Sequence, residues 1–468
     1  MFQFRGDRSS LLKDLATRVS QVWSSFDQAR DGEPEISKNT LAVLGEDLPR
    51  AGRGETEALS QAVDILDQSL AQSRPRFFAY IGSSGLEMGA VADFLASSYD
   101  INLAVDSKAA TILERQTARW VGQFIGYDDN AKGLFTSGGT ISNITALAAA
   151  RTRKFPDSRK NGVTVPVAIY CSAEAHYSNI RGVELLGFGS SAVRSIAIDS
   201  DRRMDPAAFE AAIKDDLANG VVPLAVIASS GTTLTGAIDP LDAIADICEK
   251  YQIWMHVDGA YGAPAAGTAK ARAKFAGLSR ADSVTIDAHK WLFVPKACSI
   301  VLMKNYEPLV RTFSHNEAYM PHDSDEPNAV DITLEYSRPV RALKMWMGFA
   351  THGADEFEQA ITQNIELAEL TYDRGDAADD FRVLPNRPQL SIVPIQYAPA
   401  GVKDVSAFNR RIYELIMEDL RIYISPAVID DQVWLRPCYT NFRTTVADVD
   451  AMFEVIRELG DRVANDFS

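Results

Sequence analysis

The chain has 468 residues, 46% of them hydrophobic and 24% charged, with a formal net charge of −16. That is the composition of a globular protein with length for a large core, and its acidic balance argues against a nucleic-acid or anionic-membrane surface, since both want basic patches. No stretch reaches the roughly 18 apolar residues of a membrane span, the N-terminus lacks the apolar core of a signal peptide, and Cys171, Cys248, Cys298 and Cys438 show no CxxC spacing. The expected setting is soluble, reducing and cytoplasmic, with no disulfide framework and no metal site.

Residues 1–75 are polar and helical in pattern, with Leu59, Val63, Leu66 and Leu70 at helical spacing. They hold too few apolar side chains for a core of their own. The segment 1–85 is therefore expected to pack on something else, with a second subunit as the candidate. From about 130 to 305 the pattern alternates. Strands are expected at 165–170, 193–198, 224–228, 253–257, 283–286 and 299–303. Helices are expected at 141–153, 180–186, 206–217 and 240–251. Asp205-Pro206 and Asp239-Pro240 each read as an Asp cap with Pro at the first helical position. Alternation of this kind implies a large α/β domain, assigned to 86–350, with a mostly parallel sheet whose ligand lies beyond the carboxyl ends of the strands. Residues 306–340 read as a loop, long enough to suggest a functional segment. A helix is expected at 340–370. Strands at 390–396 and 433–436 and helices at 407–420 and 446–459 suggest a small α+β domain over 351–468.

Chemistry concentrates at the strand ends. Lys290 closes the run Asp287-Ala288-His289-Lys290-Trp291, and Asp258 closes His256-Val257-Asp258. A Lys and an Asp so placed are what a pyridoxal phosphate enzyme needs. The amine forms a Schiff base with the cofactor aldehyde, and the carboxylate keeps the pyridine nitrogen protonated. Thr136-Ser137-Gly138-Gly139-Thr140 opens a helix, where close backbone approach, free N–H groups and the helix dipole suit a phosphate. Gly187-Phe188-Gly189-Ser190-Ser191-Ala192 imitates a dinucleotide fingerprint, but it follows a helix and precedes a strand, the wrong order. His176 follows one strand, and Ser229-Ser230-Gly231-Thr232-Thr233 follows another, each within reach of a ligand there. No HxH or HExxH spacing supports a metal.

Together these runs resemble the group II pyridoxal-phosphate decarboxylases, the family of aromatic L-amino-acid decarboxylase and glutamate decarboxylase. The matching elements are 136–140, Ala175-His176, 231–233, His256-Val257-Asp258-Gly259-Ala260-Tyr261 and 287–291. The resemblance runs from Pro75 to Trp346 and is weaker on either side. It implies an aspartate-aminotransferase-like, fold type I architecture and a homodimer with active sites at the subunit interface. It also implies roles. Lys290 carries the cofactor and Asp258 pairs with its ring nitrogen. His176 stacks on the ring, and Ala260 packs on the other face. Gly138, Gly139 and Thr140 hold the phosphate, Thr233 lies near the ring, Asp239 supports the site, and His289 lies near the substrate carboxylate or the phosphate. Tyr319 matches the tyrosine of the family's catalytic loop, which protonates the α-carbon. A Phe at that place goes with oxygen-consuming aldehyde synthases, so Tyr319 favours simple decarboxylation. One departure is Asp287-Ala288, where animal aromatic enzymes carry Asn-Pro.

Phe77, Phe78 and Tyr80 resemble the aromatic run lining the pocket of aromatic decarboxylases, so an aromatic L-amino acid is the expected substrate, with Phe78 and Tyr80 as its contacts. An acidic substrate, aspartate or glutamate, would need a positioned cation, for which Arg76 and Arg338 are the candidates. Decarboxylation of 2,4-diaminobutyrate and synthesis of an aromatic aldehyde on the same fold also stay open. The intact set of site residues argues against a silent scaffold.

Overall fold

Seven strands form the central sheet of the computed structural model, which describes residues 6–30, 32, 34–315 and 327–467. They are β1 (Lys132–Thr136), β2 (Val167–Ser172), β3 (Val193–Ile196), β4 (Val222–Ser229), β5 (Trp254–Asp258), β6 (Ser283–Ile286) and β7 (Ser299–Met303), ordered β1-β7-β6-β5-β4-β2-β3 across the sheet. The pairs from β3 to β6 are parallel, whereas β7 runs antiparallel to both β6 and β1. All six expected strands form. β1 is an addition, because its Lys-Gly start carries no strand signal. Tertiary pairing with β7 holds it, in register from Lys132 opposite Met303 to Thr136 opposite Ser299.

The strands are apolar because both faces are covered. Alternate residues enter opposite cores. Ala168 and Tyr170 of β2 join Phe209, Ile213, Leu241 and Ile244 on one side. Val167, Ile169 and Cys171 meet Ala146, Leu147 and Ala150 of the helix Gly139–Lys154 on the other. The helix Pro206–Ala218 starts as expected, with Asp205 accepting from Ala207 N–H. The second Asp-Pro pair does not repeat this. The helix Leu241–Tyr251 has Pro240 at its cap and no side-chain capping bond. Asp239 turns inward instead and accepts from the N–H groups of Met204 and Ser229, each at 2.7 Å. It thereby ties down the carboxyl end of β4.

The 36-residue helix Ala342–Ala377 is broken by a positive φ of 72° at Gly353. Beyond it lies a four-stranded antiparallel sheet of β8 (Phe381–Val383), β9 (Ile395–Tyr397), β10 (Ser425–Ile429) and β11 (Gln432–Arg436), ordered β10-β11-β9-β8. The helices Val405–Asp419 and Val446–Asp461 complete its core through Phe408, Ile412, Val449 and Ile456. Residues 77–80 run along this sheet: Phe78 N–H donates to the Tyr423 carbonyl and its own carbonyl accepts from Cys438 N–H. Near the N-terminus, the helices Arg8–Phe26 and Glu55–Asp67 bury no residue, and apolar side chains such as Leu12 and Leu66 stand exposed on them. No helix among the described residues is long and apolar enough to cross a membrane.

Candidate active site

A cavity of about 660 Å³ opens beyond the carboxyl ends of β4, β5 and β6. The turn at residues 137–141, His176, Thr233, Asp258, Ala260, His289 and Lys290 all line it. Asp258 is the last residue of β5, and its orientation is fixed from behind. Asp258 Oδ2 accepts from Asn143 Nδ2 at 3.0 Å and from Asn179 Nδ2 at 3.1 Å, while Oδ1 accepts from Ala260 N–H at 3.2 Å. Asn143 comes from the helix Gly139–Lys154 and Asn179 from the helix Ser178–Leu185.

The chain of contacts continues into the core. His256 Nε2 lies 3.1 Å from Asn143 Oδ1, and its Nδ1 lies 2.8 Å from Ser283 Oγ, which in turn accepts from Trp254 Nε1 at 2.9 Å. One arrangement satisfies every group: Trp254 donates to Ser283, Ser283 to His256, His256 to Asn143, and Asn143 to Asp258. Burial pushes the His256 imidazolium down to about 4, so the ring is neutral as this chain requires.

Lys290 sits on a turn that closes on itself. Its N–H donates to the Asp287 carbonyl, and Asp287 N–H donates to the Ala260 carbonyl. The Lys290 ammonium lies 2.8 Å from Asp287 Oδ2. Burial alone would raise the Asp287 carboxyl, but the charges of Lys290 and His289 hold it below the usual range. Asp287 Oδ1 is buried without a hydrogen-bond partner. Trp291 anchors the turn from the far side. It stacks on Tyr261 at 5.0 Å and donates to Asn364 Oδ1 in the long helix. His289 Nδ1 donates to the Cys298 carbonyl at 2.8 Å, and burial lowers its imidazolium.

The opposite end of the cavity is a helix N-terminus. The helix Gly139–Lys154 starts with Gly138 at its cap and no capping side chain, leaving first-turn N–H groups for a ligand. A Cβ on Gly138 would stand in open space, whereas one on Gly139 would come within 3.0 Å of the Asp287 carboxylate. His176 Nδ1 accepts from Ser178 Oγ and its backbone N–H, which leaves the proton on Nε2. Burial lowers the His176 imidazolium against the pull of Asp258.

The structure corrects three sequence expectations. Phe78 does not reach the cavity: it is 1% exposed and packs edge-on against Tyr439 in the small-domain core. An extended strand would put Phe78 and Tyr80 on one face, but Tyr80 has a left-handed φ of 56°, which takes it out of that register and lets it line the cavity. Arg76 is paired with Asp448, and Arg338 is buried against Glu114, so neither supplies a cation to the cavity. Tyr319 lies outside the described residues. Sequence reading missed Asn143, Asn179, Lys296 and Arg436. Arg436, at the end of β11, donates from Nη2 to the Tyr80 carbonyl at 2.9 Å, and its Nη1 is buried without a partner.

The residues present fit pyridoxal phosphate: a lysine, a fixed carboxylate for a ring nitrogen and an uncapped helix N-terminus for a phosphate share one cavity. Residues 38–397 match the model of the pyridoxal-dependent decarboxylase conserved domain. An aromatic-L-amino-acid decarboxylase of Bacillus atrophaeus is 33% identical over 92% of this chain and 90% of its own. An L-2,4-diaminobutyrate decarboxylase of Rhizobium meliloti is 32% identical over 88% and 84%. The crystal structure of mouse CSAD superposes with a TM-score of 0.89 at 25% identity, over 97% of this chain and 99% of that one. The chain belongs to the pyridoxal-dependent decarboxylase family, with its fold type I architecture and its requirement for pyridoxal phosphate.

Proposed function

We propose that the cavity decarboxylates an L-amino acid on pyridoxal phosphate carried by Lys290, with the phosphate at residues 138–140 and the ring nitrogen at Asp258. The observation that supports this most is the convergence of Lys290, Asp258 and the uncapped helix N-terminus on one cavity. Bound pyridoxal phosphate supplies a conjugated ring that draws in the electron pair left as carbon dioxide departs.

The side chains do the rest. Asp258 keeps the ring nitrogen protonated, and its two amide donors hold it in place. His176 would lie over the ring, with Ala260 on the opposite face and Thr233 at its edge. His289 lies beside the phosphate or the substrate carboxylate. Arg436 offers its partnerless Nη1 to a carboxylate. Lys290 would hold the cofactor aldehyde, and Asp287 neutralises its ammonium when it is free. Tyr319, assigned on the family resemblance, returns a proton to the α-carbon, which yields an amine. We place this chemistry in a cytoplasmic homodimer whose subunit contact covers the N-terminal helices.

An aromatic substrate is the reading supported by Tyr80 and Ile81 on the cavity wall and by the Bacillus atrophaeus relative. Incubation with a panel of L-amino acids, scored for carbon dioxide and amine, tests the function. Lys290→Ala should lose nearly all turnover together with the visible absorbance of lysine-bound cofactor. Full turnover in that variant would sink the assignment.

A further inference from the structure

A second cavity, of about 460 Å³, lies at the amino ends of β2 and β3, the opposite end of the parallel strands from the active site. The two linings share no residue. One helix, Gly139–Lys154, reaches both. Its first turn faces the phosphate position, and Arg151 stands in its last turn, roughly 18 Å away by helical rise. A cavity of this size suits a small molecule.

One wall is the run 187–192, which imitates a dinucleotide fingerprint in the wrong order. It crosses from the helix Ser178–Leu185 to β3, with Gly187 and Gly189 in left-handed backbone at φ 82° and 78°. Arg194, at the start of β3, ties this wall down. Its Nη1 donates to the Ser191 carbonyl at 2.7 Å, while its Nε and Nη2 pair with the Asp216 carboxylate. Arg194 is thus already neutralised.

Arg151 is not. Its Nε is buried without a partner, and among the described residues its guanidinium makes no hydrogen bond and no ion pair. Burial lowers the guanidinium, and no neighbouring charge offsets that. Ser158 lines the same cavity. It is 6% exposed, and its hydroxyl is buried without a partner. Buried donors left unpaired carry the full cost of their desolvation, so a cavity that holds two of them is suited to an acceptor. The carboxyl end of a helix is the negative end of its dipole, so the guanidinium, and not the backbone, has to hold an anion here. No carboxylate lines the cavity. One unpaired cation matches one negative charge, and a dianion would bring an excess. Val163, Leu186 and Phe188 give the rest of the lining an apolar character, packed against the core below β2.

We propose that this cavity binds a small organic monocarboxylate, with its carboxylate on Arg151 and Ser158 and its apolar body against Val163, Leu186 and Phe188. The site is separate from the reaction, so its failure leaves the decarboxylase reading standing.

The test titrates holoenzyme by calorimetry, with the catalytic cavity already holding its cofactor. The probes are benzoate, acetate, phenyl phosphate and benzyl alcohol, each against wild type, Arg151→Met and Ser158→Ala. Benzoate is expected to bind wild type at one site, acetate and phenyl phosphate more weakly, and benzyl alcohol not at all. Arg151→Met should weaken benzoate about 10- to 100-fold, as when a charge-assisted hydrogen bond is lost, and Ser158→Ala about 3- to 10-fold. Both variants should keep wild-type kcat and cofactor absorbance, since neither residue borders the active site. Equal benzoate affinity in wild type and both variants would place the probe elsewhere, in the catalytic cavity or on the surface, and overturn the inference. So would phenyl phosphate binding more tightly than benzoate, or no heat from benzoate up to about 10 mM. If Arg151→Met does not fold, Ser158→Ala decides alone, and an unchanged benzoate affinity in it overturns the inference.

Discussion

The floor and the mouth of the cavity are built on opposite plans. Asn143, Asn179 and His256 are at most 1% exposed and Asp258 is 9% exposed, and their hydrogen bonds all close within the chain. At the mouth, Tyr80 is 56% exposed, and Lys296 and Arg436 have no anionic partner among the described residues. A floor satisfied internally is rigid and suits a reaction that does not change from one substrate to another. A mouth with unmet charge suits recognition. The floor should therefore govern kcat, and the mouth should govern KM and substrate choice.

That division can be broken at several points. The largest effect belongs to Asp258. Asp258→Ala removes the charge facing the ring nitrogen, and kcat should fall by about 10³-fold or more, the scale of a lost preorganised electrostatic contact. An equal loss in Tyr80→Ala would erase the distinction between floor and mouth.

Asn143 comes next. Asn143→Ala removes one donor from Asp258 and strands the His256 ring beside a void. We expect kcat to fall about 10- to 100-fold, as for lost outer-shell support of a functional group. Stability should drop by about 1–3 kcal/mol for the unpaired buried groups. Steady-state kinetics and urea unfolding separate the two effects, and a change in KM alone would count against a positioning role.

Much of this floor is written locally in the chain. His256 and Asp258 lie two apart on one strand, and the 136–140 turn and the Lys290 turn each read as single segments. The relay through Asn143, Asn179, Ser283 and Trp254 is not local. It depends on two helices and two strands meeting at one register, and each residue alone has an ordinary helical or strand reading. β1 is hidden for the same reason, since its pairing with β7 outweighs a weak local preference. The mouth is less legible still. Arg436 arrives from the far end of the chain and Lys296 from an unremarkable loop. Phe78 and Tyr80 differ because Tyr80 takes a left-handed backbone, φ 56°, that the sequence does not announce. Arg338 has the charge for an acidic substrate, and only the fold sets Glu114 beside it.

A smaller effect concerns pH. The folded-state His256 imidazolium is pushed down to about 4, below the ordinary value near 6.5. A depressed value means the folded state resists protonation. The stabilising contribution is present above about 6.5 and is lost as pH falls toward about 4, up to roughly 3 kcal/mol in all. Asp239 works with the opposite sign. Burial pushes its carboxyl up to about 6, so its contribution is full at low pH and is lost as pH rises through about 6. The two windows overlap, so the informative quantity is a difference. His256→Gln should show a weaker loss of urea resistance between pH 7 and pH 5 than wild type. Parallel curves would mean that His256 is not the buried neutral group described.

The central claim is that Lys290, and no other lysine, carries the cofactor. Borohydride reduction of the holoenzyme followed by peptide mapping tests it directly. The reduced cofactor is expected on the peptide containing Lys290, with Lys296 on the same loop left unmodified. Attachment at Lys296, at any other lysine, or at none would contradict it.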